Sequence, residues 1–381
     1  VGLWVSRTKK GHTKTAEDYF LASKALPWWA IGSSLIAANI SAEQFIGMSG
    51  SGFAGGLAIA SYEFMAALTL IIVGKFFLPI FIKQGIYTIP EFVEKRFSTN
   101  LKTILAVFWI ALFVFVNLTS VLFLGGKAID TIVGVGDGSM IVPAIIALAI
   151  FAAAYSLYGG LSAVAWTDVI QVALLVIGGI ITTLIALHYV TPDGGILNGI
   201  SHIADAASDK FDMVLSRDNK EFNNLPGIYV LIGGLWVANL YYWGFNQYII
   251  QRTLAAKSLT EAQRGIAFAA FLKMLIPFIV VIPGIVAWVM YSEDLYGARS
   301  AFEIAGSTAL NNDNAYPWLI STFIPVGVKG LVLAALAAAI VSSLASMLNS
   351  TSTIFTMDIY KPYIIRAASQ SILVRVGRLT G

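Results

Sequence analysis

Four ionisable side chains stand inside long apolar runs of this chain: Glu43, Glu63, Asp168 and Lys273. A charge at membrane depth is costly unless it meets a partner or a water-lined cavity, so each marks a place where an ion or polar solute could be handled. The competing reading is a buried ion pair that only fixes helix packing. No cysteine is present, which removes thiolate metal sites and cysteine nucleophiles.

Two apolar runs are broken by polar and glycine-rich residues. The first reads Ala37-Ala38-Asn39-Ile40-Ser41-Ala42-Glu43-Gln44, followed by Gly47-Met48-Ser49-Gly50-Ser51-Gly52. The second reads Ala238-Asn239-Leu240-Tyr241-Tyr242-Trp243-Gly244-Phe245-Asn246-Gln247. Such sequences predict an unwound stretch within the span, tolerated only where the backbone is buried in protein or lines a cavity. Freed carbonyls can then hold a cation and side chains a solute. A third run carries Ala335, Ala339, Ser342, Ser346, Asn349 and Thr353 along one helix face, with Ser343 at its edge. A small-residue stripe can simply be a packing seam. Paired hydroxyls facing freed carbonyls would instead form a neutral oxygen cage suited to a monovalent cation, without the clustered carboxylates that calcium takes.

The elements that must position these groups are membrane spans. Of the 381 residues, 57% are hydrophobic and only 12% charged, about half the charge of a soluble domain. An all-α polytopic membrane protein follows, with eight spans near 27–52, 56–82, 103–132, 139–157, 162–190, 227–250, 262–292 and 328–356. The runs lack the short alternating pattern of transmembrane strands. Most of the 24 basic residues, Lys102 and Arg252 among them, fall on one set of connections and place that set inside. The first broken run then crosses outward and the sixth inward, the arrangement of an inverted-repeat secondary transporter. The net charge of +3 and scattered basic residues argue against nucleic acid.

Tyr158-Gly159-Gly160-Leu161-Ser162-Ala163, leading to Trp166-Thr167-Asp168-Val169-Ile170-Gln171, resembles the signature of the sodium:solute symporter family. Ala37 to Gln44, Asn239 to Gln247, Gln251-Arg252-Thr253-Leu254-Ala255 and Val341-Ser342-Ser343-Leu344 carry the same resemblance, which is close to the bacterial sodium/galactose branch. The resemblance implies a LeuT-type fold of two inverted five-helix repeats, truncated in the second, and sodium-coupled symport of a monosaccharide by alternating access. It implies a sodium site of the carbonyls of Ala37, Ile40 and Ala339 with the hydroxyls of Ser342 and Ser343, and Asp168 on the sodium path. Gln44, Glu63, Asn239 and Lys273 would bind sugar hydroxyls, with Tyr242 stacking beneath the ring as inner gate. Asn39 would join the first break to that gate, and Met48 and Tyr62 would help close the outer side. Ala66 stands where the galactose branch has a serine, so one sugar contact is expected to be missing or water-mediated.

The implied organisation is an N-terminal helix end plus linker over 1–26, a first repeat over 27–190 and an outer loop over 191–226. Three helices of the second repeat over 227–360 and a cytoplasmic segment over 361–381 complete it. The apolar start without methionine and the unclosed end suggest an internal piece of a longer protein, not expected to transport alone. A multi-pass location in an inner or plasma membrane follows, with sodium, a sugar and lipid as partners and homo-oligomerisation left open. The alternative solutes are an amino acid, sialic acid or inositol, and a channel is the less suitable reading. A remote alternative is an intramembrane serine protease, since Gly47-Met48-Ser49-Gly50 has the required form but needs a histidine base. Gly134-Val135-Gly136-Asp137 similarly resembles an aspartyl-protease motif, though placed in a loop.

Overall fold

The computed structural model describes residue 4 and residues 13–381, apart from 42, 134–137, 226 and 305, and leaves out the side chains of Glu43 and Tyr155. The expectations for the N-terminal stub, His12, the Glu43 carboxylate and Gly134 to Asp137 lie outside the described residues. What is described is predominantly helical, with longer non-helical stretches such as 212–225. Among the described residues the only strand-like contacts are two isolated bridges, Leu26 to Ala256 and Glu303 to Leu310.

Among the described residues, six helical runs are long and apolar enough to cross a membrane: Gln44–Gln84, which a turn at Gly56 divides, Thr99–Val133, Ile141–Gly159, Leu161–Tyr189, Leu259–Ser292 and Val326–Ile364. The first and sixth expected spans are built differently. Pro27 precedes α1 (Trp28–Asn39), which stops at Ile40, whose backbone is extended at φ −83 and ψ 111. Twelve residues of helix rise only about 18 Å, too short for a hydrocarbon core of about 30 Å. The crossing is completed beyond the break by a π-helical segment, Glu43–Met48, and α2 (Ser49–Gly55). Past Gly55 the chain turns back into α3 (Ser61–Ile72).

The scaffold follows as α4 (Thr99–Val133), α5 (Ile141–Gly159) and α6 (Leu161–Tyr189). The sixth crossing joins α7 (Val230–Phe245) to α8 (Gln247–Leu254) through Asn246, extended at φ −77 and ψ 123. Its side chain accepts a hydrogen bond from the Tyr248 amide and so caps the second half. The break therefore falls at the end of the polar run, while Ala238 and Asn239 remain helical. Tyr241–Phe245 winds as a π-helix, a local widening frequent at functional sites. The lead-in to α1 pairs with the exit from α8: Leu26 donates to the Ala255 carbonyl at 3.1 Å and accepts from Lys257 at 3.3 Å. The start of one broken crossing thus lies against the end of the other, as opposite directions require.

At the centre runs α9 (Leu259–Ser292), packed against α1, α2, α3 and α6. Pro277 and Pro283 lie inside it, where neighbouring helices compensate for the lost backbone bonds. α10 (Val326–Ile364) packs on α4, α5 and α6, and continues well past the expected end at residue 356 through a π-helical stretch, Phe355–Ile364. Lys102, expected in a connection between spans, lies instead in the first turn of α4. It is buried, 2.7 Å from Glu94 and 3.8 Å from Asp358, because the start of α4 and the end of α10 converge over it.

The outer connections pack onto the bundle. Gly56 has φ +71, and a Cβ there would sit 2.1 Å from the Lys210 carbonyl, so only glycine suits the turn. The Lys210 ammonium reaches back to the Ala54 carbonyl and lies 4.1 Å over the Trp288 ring. Burial lowers its pKa from the usual lysine range.

Gly284 of α9 fixes how closely α2 can approach, since a Cβ there would lie 2.2 Å from the Ser49 carbonyl and 2.9 Å from the Phe53 amide. Both obstacles are backbone. Gly284→Ala is expected to destabilise the protein by about 1–3 kcal/mol through overpacking. Thermal unfolding in detergent checks this, and an unchanged midpoint would show that α2 is free to shift.

Candidate functional site

The site is a string of contacts joining the two breaks. Asn39, the last residue of α1, donates from Nδ2 to the Tyr242 hydroxyl at 2.9 Å. Tyr242 also shares a 2.6 Å hydrogen bond with Tyr248 at the start of α8. The phenol is therefore fixed from both interrupted helices. The Asn39 Oδ1 atom is buried without a partner, and a buried acceptor in that condition is costly unless something else donates to it.

From Tyr242 the string runs to Lys273. The Lys273 ammonium lies 5.2 Å from the Trp243 ring centroid and 2.5 Å from a Glu63 carboxylate oxygen. Both charged side chains are buried, 2% and 3% exposed. Glu63 stands on α3 and Lys273 on α9, which pack together, so two charges that are costly alone neutralise each other. The sequence marked both residues but not their mutual pairing.

In the other direction the string runs to α10. Ser343 donates to the Ala38 carbonyl at 3.0 Å, at the edge of the first break. Ser342 donates to Asp168 of α6 at 2.6 Å. Ala37, Ile40 and Ala339 are buried beside them, at no more than 1% exposed. Each serine uses its proton in these bonds and keeps oxygen lone pairs that can face a cation.

Asp168 is fully buried and accepts a second hydroxyl bond, from Ser34 of α1. Close by lies Arg252. Expected among the inner-side surface charges, Arg252 is buried, with its Nη2 3.7 Å from Asp168. Its Nε donates to the Ser34 carbonyl at 3.1 Å and hydroxyl at 2.7 Å, and its other nitrogens to the Tyr248 carbonyl and Ser346 hydroxyl. The α8 segment is short and enclosed by α1 and α10, so a charge that looked like a loop residue is drawn between them. Its neighbour Gln251 is likewise buried. It donates to the Phe20 carbonyl, Asn349 and Thr353 and accepts from Ser350. The polar stripe of α10 was the available signal: a row of buried hydroxyls needs partners on the facing helix.

Other expected residues are less gathered. Gln44 is half-buried and accepts from the Ser41 amide at 3.2 Å, spanning the first break. Asn239 is buried and donates to the Leu235 carbonyl of its own helix at 3.0 Å. Met48 is half-buried between two apolar clusters, and Tyr62 is 40% exposed. Ser49 is buried with no hydrogen-bond partner. His188 and His202 are engaged in the outer segments, with the Gly195 amide and Glu293.

The family model for sodium:solute symporters matches residues 19–380. The chain belongs to the sodium:solute symporter family. It is 66% identical to the sodium/glucose cotransporter of Vibrio parahaemolyticus, over 99% of this chain and 69% of that protein. It is 34% identical to the human sodium/myo-inositol cotransporter, over 97% of this chain and 54% of that one. Zebrafish (Danio rerio) sodium/glucose cotransporter 4 is also 34% identical, over 100% of this chain and 58% of that one. The chain thus spans between about half and 69% of the length of these relatives. Among solved structures it is similar to the substrate-bound outward-open state of a Na+-coupled sialic acid symporter. The TM-score is 0.84 at 28% identity, covering 100% of this chain and 75% of that one. As a family member it is a multi-pass membrane protein of LeuT-type fold, a symporter relative and not a protease.

Proposed function

We propose that the full-length protein carries a monosaccharide of the galactose or glucose type into the cell, driven by sodium entering with it. The observation that supports this reading is the unbroken string of contacts from Ser342 and Ser343, through Ala38 and Asn39, to Tyr242, Trp243, Lys273 and Glu63. In this reading residues 27–190 form one repeat and 227–360 begin its inverted partner.

Sodium is held by the Ser342 and Ser343 oxygens with carbonyls of Ala37, Ile40 and Ala339, while Asp168 favours its approach and release. Bound there, the ion joins α1 to α10 and stabilises the arrangement of the first break that receives sugar. A membrane potential adds roughly 2.3 kcal/mol per 100 mV for each charge that enters. The sugar's hydroxyls meet Gln44, Glu63, Asn239 and Lys273 with the Tyr242 ring beneath, and the Asn39 acceptor holds the gate to the solute. Met48 and Tyr62 close the outer side. A solute lacking a matching hydroxyl leaves a buried partner unpaired, a penalty of about 1–3 kcal/mol per group.

The test is uptake by the full-length protein in proteoliposomes, with a panel of sugars, inositol, sialic acid and amino acids, with and without a sodium gradient. Sodium-dependent uptake of galactose or glucose is expected, and Ser343→Ala should raise the sodium concentration for half-maximal uptake about tenfold. Uptake indifferent to sodium would refute the coupling, and preference for inositol or sialic acid would refute the sugar.

A further inference from the structure

We propose that the turn Ala22-Ser23-Lys24 is a strained clasp on the start of α1 and the end of α8, and that it unwinds when the carrier opens on that side. Ala22, Ser23 and Lys24 have φ of +48, +58 and +47. Among the described residues the other non-glycine residues with positive φ, Asp294 and Tyr296, stand singly. In this left-handed region Cβ crowds the following carbonyl oxygen, so L-residues visit it one at a time. Three in a row persist only where the surroundings over-determine them, and such positions gather at switch regions.

The two flanks of the turn are fastened to different parts of the molecule. Before it, Tyr19 and Phe20 are buried with Leu373 and Val374 of α11 (Gln370–Thr380). The Tyr19 hydroxyl donates to the Leu157 carbonyl of α5 at 2.9 Å, and the Ala16 amide donates to Gln370 at 2.9 Å. After it, Leu26 pairs with the backbone of Ala255 and Lys257, which ties the start of α1 to the end of α8. Gln251 of α8 reaches across this joint. Its Nε2 donates to the Phe20 carbonyl and to Thr353 of α10, both at 2.8 Å. The turn's own side-chain contacts, Ser23 to Asp18 and Lys24 to Glu17, are exposed and hold it weakly. The buried flanks and Gln251 are what keep it wound.

A carrier that alternates its access has to part the half-crossings beyond the breaks from the helices they close on. Joined at Leu26, α1 and α8 can swing together only if residues 21–25 lengthen, because Tyr19 and Phe20 stay with α5 and α11. A residue advances about 2.0 Å in a 3-10 turn and about 3.3 Å when extended, so unwinding three gains about 4 Å. The same motion relieves the strained dihedrals, which offsets part of the cost of breaking the Gln251 bonds. This inference rests on the carrier reading given above, with the side on which α1 starts taken as the inner one.

The test uses the full-length protein in nanodiscs, with spin labels on Lys257→Cys and Ser371→Cys and any cysteine elsewhere replaced. Both side chains are exposed, one beyond α8 and the other on α11. Double electron–electron resonance should show a short distance that dominates with sodium and a longer one that gains without it. Ser23→Ala removes the hydroxyl but keeps Cβ, and so serves as the reference. Against it Ser23→Gly, which accepts φ of +58 at no steric cost, should lower the longer-distance share about threefold. Ser23→Val, β-branched and ill suited to that region, should raise it about threefold. Gln251→Leu, which frees the Phe20 carbonyl, should raise it about tenfold. Equal shares in the three Ser23 variants while sodium still shifts the distances would overturn the clasp, even if their melting temperatures differ. Distances indifferent to sodium in the unmodified protein would overturn the carrier reading, and the clasp with it.

Discussion

Lys273→Met is expected to destabilise the protein by about 3–5 kcal/mol and to abolish sugar uptake, because it leaves the Glu63 carboxylate buried and alone. The two charged groups are 2.5 Å apart and almost wholly hidden from solvent. Loss of uptake by that variant therefore mixes two causes, a weakened fold and a missing sugar contact. The double variant Glu63→Gln, Lys273→Met separates them. With both charges gone, no uncompensated ion remains, and thermal unfolding should return to within about 1 kcal/mol of the starting protein, since replacing a buried pair is often neutral. Uptake should nevertheless stay at least a hundredfold down if the pair meets sugar hydroxyls. Recovery of uptake together with stability would reduce Glu63 and Lys273 to a packing device between α3 and α9.

Arg252→Met should be as damaging. The guanidinium serves Ser34, Tyr248 and Ser346 and lies 3.7 Å from Asp168, all in a region without solvent. Its removal strands several acceptors, each costing about 1–3 kcal/mol, so a loss of about 3–5 kcal/mol is expected even after partial relaxation. The uncompensated Asp168 charge should also disturb its bond to Ser342, and with it the dependence on sodium by about tenfold. Arg252→Lys should not rescue, because an ammonium cannot reproduce the planar fork that reaches three directions. Adding Asp168→Asn to Arg252→Met should recover part of the stability and none of the sodium dependence. Thermal unfolding with sodium-titrated uptake in the full-length protein measures both. An Arg252→Lys variant equal to the starting protein in both would show that charge alone, and not geometry, is required.

Much of the architecture was legible because membrane depth imposes strong composition rules. Long apolar runs marked the spans, and polar residues with glycine within two of them marked the crossings that break at Ile40 and Asn246. Asp168, Glu63 and Lys273 stood out since charges at such positions are costly. Arg252 and Lys102 were misjudged for the converse reason. Both sit at the margins of apolar runs, where a basic residue normally faces water, and local sequence does not show that another helix covers it.

What the sequence by itself determined, then, is the kind of protein and the polar groups that need a partner. Each of these depends on the environment of one segment at a time. The tertiary structure alone decided which partner each group takes. Lys273 is 210 residues from Glu63, and Ser343 is 305 from Ala38. Pairings of that range follow from which helix faces meet when the two broken crossings pack around α9. Several partners are chemically equivalent, and only the packing geometry places one of them within hydrogen-bond reach.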